Sequence, residues 1–110
     1  LYPAGLMHYV APEMLSEGSA RTSQTDVWNV GALAYWLETG RPAFAGEGAV
    51  QIVAQILTKA PESFGRWIVG GHDANLERVV MRCLSRSLDE RYKTLAEAHH
   101  AFAATHVSGP

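Results

Sequence analysis

The sequence predicts an all-α fold built around one buried central helix. Nine of the eleven residues from Val27 to Leu37 are apolar, which is typical of a helix that is covered on most of its faces. Elsewhere, apolar residues recur at helical spacing, and no segment shows the clean alternation of a half-buried strand. We therefore expect the other helices to pack around the central one.

The central helix is bounded by recognisable capping signals. Ser23 is a favourable N-cap, and Asp26 three residues later gives a short form of the capping box. Gly40 suits the left-handed residue that ends a helix, and Pro42 follows soon after it. Gly31 costs about 1 kcal/mol relative to Ala inside a helix, which indicates close packing against its backbone.

The segments on either side of this helix differ in regularity. Residues 1–10 have no period and are predicted to form a loop, whereas Pro12 suggests a short helix over 11–16. After the central helix, the Gly- and Pro-rich connection 41–48 contains one expected buried anchor, Phe44.

Three more helices follow in the predicted order. Apolar residues at crowded helical spacing predict a helix over 49–57, and another opens at Ala74 or Asn75. Thr94 and Glu97 form a capping box that begins the last helix. The residues of this last helix that we expect to face inward are Leu95, Ala98, Ala101 and Phe102.

The bulk composition fits one globular domain. The chain has 110 residues, is 47% hydrophobic and carries a net charge of −2. Scattered Lys and Arg argue against a nucleic-acid surface or a polybasic membrane patch, and no signal peptide or membrane span is predicted. Cys83 is the single cysteine, so no internal disulfide can form, and we expect a buried thiol. The chain begins without Met in loop-like sequence, so we expect it to be a piece of a longer protein.

Three short motifs occur in a fixed order around the central helix. Residues 5–13 read Gly-Leu-Met-His-Tyr-Val-Ala-Pro-Glu, residues 26–31 read Asp-Val-Trp-Asn-Val-Gly, and residues 84–92 read Leu-Ser-Arg-Ser-Leu-Asp-Glu-Arg-Tyr. They resemble the end of the protein-kinase activation segment, the start of the long buried kinase helix and the turn before the last kinase helix. Residues 39–44, Thr-Gly-Arg-Pro-Ala-Phe, strengthen the match. The chain thus resembles part of the helical C-lobe of a bacterial, eukaryotic-like Ser/Thr protein kinase, from the Ala-Pro-Glu motif through the last helix.

This resemblance implies one partial kinase domain over residues 1–110, in a parent that transfers the γ-phosphate of ATP to protein Ser or Thr. This part would hold the substrate-binding segment and scaffold the catalytic loop. The substrate-binding residues implied are Gly5, Leu6, Met7, His8 and Tyr9. The structural motif residues implied are Ala11, Pro12, Glu13, Asp26, Gly31 and Arg91.

Two polar interactions are also implied by the resemblance. Glu13 would pair with Arg91, and an Arg–carboxylate pair can be bidentate. Asp26 would accept backbone N–H bonds from the catalytic loop. Without the family resemblance, Glu13 and Arg91 would be interpreted as solvated surface charges. Asp26 would be interpreted as a plain helix cap.

The family's catalytic and nucleotide-binding motifs match no residue of this chain. We therefore assign no catalytic, cofactor-binding or metal-binding residue, expect no ATP binding by the chain alone, and take Mg·ATP as implied for the parent only. Leu6 departs from the family, which usually has Thr there, and Ser87-Leu88 departs from Asp-Pro or Asn-Pro. The Leu6 change leaves a second reading open, a pseudokinase lobe that acts as a non-catalytic protein-binding module.

Other readings are weaker. An unrelated all-α interaction domain is disfavoured by the three ordered motifs. His99 and His100 are adjacent and point about 100° apart on a helix of 3.6 residues per turn, so a metal site is not expected. Residues 46–48, Gly-Glu-Gly, are similar to a phosphate loop but lack a preceding strand and a third glycine.

The central helix also predicts a partner. The six large side chains Val27, Trp28, Leu33, Tyr35, Trp36 and Leu37 cannot all face the helices that this chain contains. We expect the rest of the kinase domain or a second copy of the chain to cover the side chains that remain exposed. A protein substrate is the other expected partner. The expected location is the cytoplasm, or the cytoplasmic side of a membrane for a membrane-bound parent.

Overall fold

A computed structural model describes residues 4–107 of the chain, and the side chains of residues 6–105 within it. This part contains four α-helices and no strand, which confirms the all-α prediction. The α-helices are α1 (Ser23–Thr39), α2 (Ala49–Thr58), α3 (Ala74–Cys83) and α4 (Leu95–Val107). Three short 3-10 helices are also present: Ala4–Tyr9, Pro12–Leu15 and Phe64–Arg66. No helix of the described part is both long and apolar enough to span a membrane.

The first 3-10 helix differs from the prediction, whereas the second lies within a predicted short helix. Ala4–Tyr9 was expected to be a loop, and Pro12–Leu15 lies where a short helix over 11–16 was predicted. Pro12 at the first position supplies a suitable φ angle, but the segment is too short to gain the bonds of a full α-helical turn.

Helix α1 is the centre of the fold. It packs against α3, α4 and the first 3-10 helix. Trp28 of α1 is fully buried and stacks on Phe44 with ring centroids 5.3 Å apart, so the expected anchor of the 41–48 connection is confirmed. Tyr35, about two turns further along the same side of α1, packs edge-on against buried Phe64.

The caps of α1 were only partly predicted. Thr22, not Ser23, is the N-cap, and it forms a reciprocal capping box with Thr25. The Ser23 hydroxyl instead accepts a hydrogen bond from the backbone N–H of Leu95, which ties α1 to the start of α4. Gly40 ends α1 in the left-handed conformation at φ 72°, as predicted.

Burial of α1 is one-sided within the described part of the chain. Its buried residues are Thr25, Val27, Trp28, Gly31, Ala32 and Tyr35. Its exposed large apolar residues are Val30, Leu33, Trp36 and Leu37. The prediction that most faces are covered is therefore wrong for these residues, whereas the expectation that the six large side chains cannot all face inward is confirmed. We call Val30, Leu33, Trp36 and Leu37 the open face of α1.

Gly31 shows why α1 and α3 approach so closely. A Cβ atom added at Gly31 would lie 2.5 Å from the Cβ of Cys83, closer than non-bonded carbons can come. The predicted close packing at Gly31 is thus confirmed. Cys83 is fully buried, as expected, and burial raises the pKa of its thiol to about 12.

The last two helices are capped by acceptors that precede them. Asp73 accepts from the N–H groups of Asn75 and Leu76 at the start of α3. Thr94 accepts from the N–H of Glu97, but the Glu97 carboxylate pairs with Arg82 at 3.3 Å, a long-range ion pair between α4 and α3.

The inward face of α4 was predicted only in part. Ala98 is buried and Phe102 packs on the core, whereas Leu95 is exposed, contrary to prediction. Leu95 is the first residue of α4, and its backbone N–H contacts α1 whereas 40% of the residue is exposed.

Candidate functional site

A two-point ion pair joins the beginning and the end of the described fold. Nη1 and Nη2 of Arg91 donate to the two carboxylate oxygens of Glu13 at 2.8 and 3.0 Å. The Arg91 side chain is 0% exposed and that of Glu13 is 21% exposed. The pair implied by the sequence is therefore present, and its bidentate geometry is the stronger form of such a contact.

The guanidinium of Arg91 is satisfied on every side. It also donates to the backbone carbonyls of Ser85 and Gln24, at 2.9 and 3.0 Å, and lies over the ring of Trp28. This explains how a fully buried cation is accommodated, since each N–H finds an acceptor and the aromatic face adds attraction. Arg91 therefore joins three segments: the turn before α4, the first turn of α1 and the Pro12–Leu15 helix.

The carboxylate of Glu13 has one further donor, the Thr25 hydroxyl at 3.1 Å from Oε2. Burial by itself would raise the pKa of Glu13, but the bonds from Arg91 and Thr25 outweigh it and hold the pKa below its usual value. Glu13 is thus ionised in the folded state across the neutral range.

The segment just before Glu13 is held to the core by two hydrogen bonds to main-chain carbonyls. His8 donates from Nδ1 to the carbonyl of Phe44 at 2.8 Å, and Nδ2 of Asn29 donates to the carbonyl of Tyr9 at 2.6 Å. Met7 is buried in the same region. The segment is therefore fixed at several points and is not a free loop.

A cavity of about 210 Å³ opens between this segment and α1. Its lining residues are Leu6, Tyr9, Val10, Ala11, Met14, Arg21, Thr25 and Asn29. Most of these are apolar, and Leu6, with 53% of its surface exposed, stands at the opening. The polar groups, from Arg21, Thr25 and Asn29, lie on the α1 side.

Asp26 lies at the same end of α1. One of its carboxylate oxygens is 2.6 Å from Nη2 of Arg21, and the same Nη2 donates to Oδ1 of Asn29 at 2.8 Å. No capping bond from Asp26 to a backbone N–H is present among the described residues; Thr22 and Thr25 perform that role. The Asp26 side chain is about one-third exposed, so it remains open to a further donor.

The structure brings most of the residues singled out from the sequence to one end of the fold. Leu6 and Tyr9, with Ala11, line the cavity, and Glu13 reaches Arg91 beside the first turn of α1. Gly31 lies deeper, against α3, and serves packing alone. Gly5 is part of the Ala4–Tyr9 helix but lies outside residues 6–105, whose burial is described.

Three contributors were missed from the sequence. Asn29 sat among apolar neighbours with no obvious partner, Arg21 lay in a polar loop, and Thr25 was one of several hydroxyl residues before the helix. Helical spacing gave no signal for Arg21, because it precedes the N-cap Thr22 and is not part of α1. Their partners are carbonyls and side chains that the fold brings together from distant segments.

Metal binding finds no support in the described residues, which contain no group of three or more His, Cys, Asp or Glu side chains able to hold an ion. His72 instead donates to Glu77 at 2.7 Å, and that carboxylate also accepts from Ser63 and the N–H of Phe64. This cluster fastens the 59–73 connection to α3.

Comparison with known proteins identifies the relatives of the chain. No family model matches. The chain is 38% identical over 87 residues to Ser/Thr-protein kinase PkaA of Streptomyces coelicolor, 29% over 107 residues to Ser/Thr-protein kinase PknB of Mycobacterium tuberculosis, and 30% over 90 residues to Ser/Thr-protein kinase PrkC of Bacillus subtilis. The matches cover 79%, 96% and 82% of this chain, but 15%, 17% and 14% of those relatives.

A solved structure agrees with the fold. The twitchin kinase region from C. elegans superposes with a TM-score of 0.76 over 96% of this chain, at 22% identity, and the match covers 18% of that chain. Fold and motif geometry together define the C-terminal part of the helical lobe of a protein kinase. The relatives then specify the branch: the homologues of this chain are bacterial Ser/Thr protein kinases, and the chain spans less than a fifth of the length of the relatives that it matches.

Proposed function

We propose that this chain is the substrate-binding and scaffolding part of a Ser/Thr protein kinase that transfers the γ-phosphate of ATP to Ser or Thr of a protein. The observation that carries the proposal is the fixation of residues 6–13. Asn29 holds the Tyr9 carbonyl, and Arg91 holds Glu13, so the segment is anchored both to α1 and to the turn before α4. A rigidly held segment can present its exposed residues to a substrate without a large ordering cost.

In this role the cavity beside Leu6 accepts one apolar side chain of the substrate. Apolar walls supply affinity, and the fixed backbone of the segment supplies orientation. Asp26 supports the catalytic loop by accepting backbone N–H bonds with the part of its carboxylate that Arg21 leaves open.

Mg·ATP would be the phosphate donor of the parent kinase. Phosphoryl transfer requires groups that cradle the phosphates and hold the metal, and no residue of this chain matches those motifs. The described residues contain no cluster suited to the metal either. In this proposal the chain contributes to binding of the protein substrate, and other parts of the parent bind the nucleotide.

The open face of α1 is proposed to pack against the rest of the kinase domain. Leu37 is 65% exposed, and Leu33 and Trp36 lie beside it on the same helix. Burying such side chains contributes roughly 1.5–3 kcal/mol each, so a covering surface is strongly favoured. A second copy of the chain is the other candidate. A kinase with this substrate-binding part would act in the cytoplasm or at the cytoplasmic side of a membrane.

A pseudokinase is the second candidate function, and Leu6 favours it. The family usually places a Thr here, whose hydroxyl contacts the catalytic residues, whereas Leu6 is apolar and points its exposed surface at the cavity opening. In that case the same cavity would bind a protein without modifying it.

Assay of phosphate transfer by the full-length parent separates the two. The purified parent is incubated with Mg²⁺ and γ-labelled ATP, with and without a mixed protein substrate. Label on Ser or Thr supports the kinase. Saturable protein binding without label, in a folded parent, supports the pseudokinase.

A further inference from the structure

Among the described residues that line the cavity beside Leu6, Arg21 is the one with a charged side chain. Its side chain is 63% exposed, and it lines the cavity together with Leu6, Tyr9 and Met14. A guanidinium beside an apolar cavity adds a chemical selection that the apolar walls cannot provide.

The position of Arg21 is fixed by two neighbours on α1. Asp26 and Asn29 both bind the same nitrogen, Nη2, at 2.6 and 2.8 Å. Asn29 in turn holds the carbonyl of Tyr9, so Arg21 is linked through one side chain to the segment that forms the other wall. A pre-positioned side chain loses less conformational entropy on binding than a free one.

The remaining N–H groups of Arg21, on Nε and Nη1, have no partner among the described residues. Two carboxylates contact the lining residues Thr25 and Arg21, and both already have a cationic partner: Glu13 pairs with Arg91, and Asp26 pairs with Arg21. The site therefore offers unused donors, with no free carboxylate among these residues to occupy them. Carboxylate is the side-chain group that such a guanidinium binds best.

We propose that Arg21 is a specificity-determining residue that selects protein substrates carrying an Asp or Glu close to the apolar residue that fills this cavity. This inference rests on the proposed role of the cavity as a substrate site. Since Arg21 is largely exposed and half neutralised by Asp26, the selection is moderate, about threefold to tenfold in kcat/KM.

The test uses the full-length parent and peptides with one central Ser, in which each flanking position is varied in turn. We expect one position to favour Leu or Met, and a neighbouring position to favour Asp or Glu over Gln and Lys. The Arg21→Gln variant should lose the acidic preference while keeping the apolar one. Arg21→Lys should keep part of it, since the charge remains without the planar fork.

Arg78→Gln is the matched control, because Arg78 is an exposed arginine of α3 that bonds only to Asn75 among the described residues. It should leave both preferences unchanged. An acidic preference that survives Arg21→Gln, or its absence in the wild type, would overturn the proposal.

Binding of the same peptides, measured by fluorescence anisotropy, separates this inference from the proposed activity. Acid-selective binding without phosphate transfer would support Arg21 selection and refute the kinase activity. Phosphate transfer without acid-selective binding would support the kinase activity and refute selection by Arg21.

Discussion

The carboxylate of Glu13 and the guanidinium of Arg91 meet through two parallel hydrogen bonds, although 78 positions separate them in the sequence. The Arg91 side chain is wholly buried, and Glu13 supplies the negative charge that compensates it. The pair links the Pro12–Leu15 helix to the turn before α4.

Replacing Glu13 with Gln should destabilise the kinase domain by about 3 kcal/mol or more, because it leaves a buried guanidinium without its counter-charge. Urea unfolding of the parent domain measures this. Glu17→Gln, in the exposed loop that follows, should change the free energy of unfolding by less than about 0.5 kcal/mol. Equal effects of the two substitutions would show that the pair contributes no more than a surface charge.

A charge swap should fail to restore this stability. In the Glu13→Arg, Arg91→Glu double variant, the carboxylate at position 91 would face the carbonyls of Ser85 and Gln24, which now accept from Arg91. In the same unfolding experiment, we expect the double variant to be no more stable than the less stable of the two single variants. Full recovery would mean that the carbonyl contacts are unimportant.

Stability should fall in acid, with Glu13 as one cause. Its pKa is lowered on folding, so its contribution is present above the unfolded-state value of 4.5 and is lost as the pH falls through the lower folded value. Glu77 acts in the same direction: burial alone would raise its pKa, but bonds from Phe64, His72 and Ser63 lower it. The free energy of unfolding is measured from pH 7 to pH 3. Glu13→Gln should reduce the slope of this free energy against pH below pH 4.5 without abolishing it. An unchanged slope would contradict this account of Glu13.

Gly31→Ala should destabilise the fold even though Ala is the better helix former. Helix propensity alone predicts a gain of about 1 kcal/mol, whereas the new Cβ would meet Cys83 and cost about 1–3 kcal/mol in overpacking. Thermal unfolding decides the sign. Ala54→Gly, at an exposed position inside α2, is the propensity control and should lower stability by about 1 kcal/mol. A stabilised Gly31→Ala variant would mean that α1 and α3 lie further apart than described.

The open face of α1 should make the isolated chain associate. Sedimentation at micromolar concentration is expected to show self-association, which Leu33→Gln with Leu37→Gln should reduce because it removes two exposed apolar side chains. Val69→Gln is the control, since Val69 is 99% exposed but belongs to the 59–73 connection and not to the open face of α1. A stable wild-type monomer that binds no apolar dye would contradict the prediction.

The parts of this fold that sequence could predict are those set by local pattern or by motif. The helices over Ala49–Thr58 and Ala74–Cys83 follow from apolar spacing, and Gly31 follows from the cost of glycine in a helix. The Glu13–Arg91 pair came from the family resemblance, because no local rule connects residues so far apart.

The remaining features depend on which segments meet. Thr22 and Ser23 are equally good caps by composition, and only the contact of Ser23 with the N–H of Leu95 decides between them. The same holds for the one-sided burial of α1, which is set by how many helices are present to cover it. Asn29 and Arg21 remained unassigned because their partners lie on other segments.

The central proposal, that this chain belongs to an active Ser/Thr kinase limited by Leu6, is tested most directly by phosphate transfer from the full-length parent and its Leu6→Thr variant. Initial rates of labelled phosphate incorporation into a protein substrate are compared at equal concentration of folded enzyme. We expect weak transfer by the wild type and a several-fold higher rate for Leu6→Thr, because the hydroxyl restores hydrogen bonds that a leucine cannot make. No Ser or Thr labelling by either protein would contradict the proposal and favour the pseudokinase.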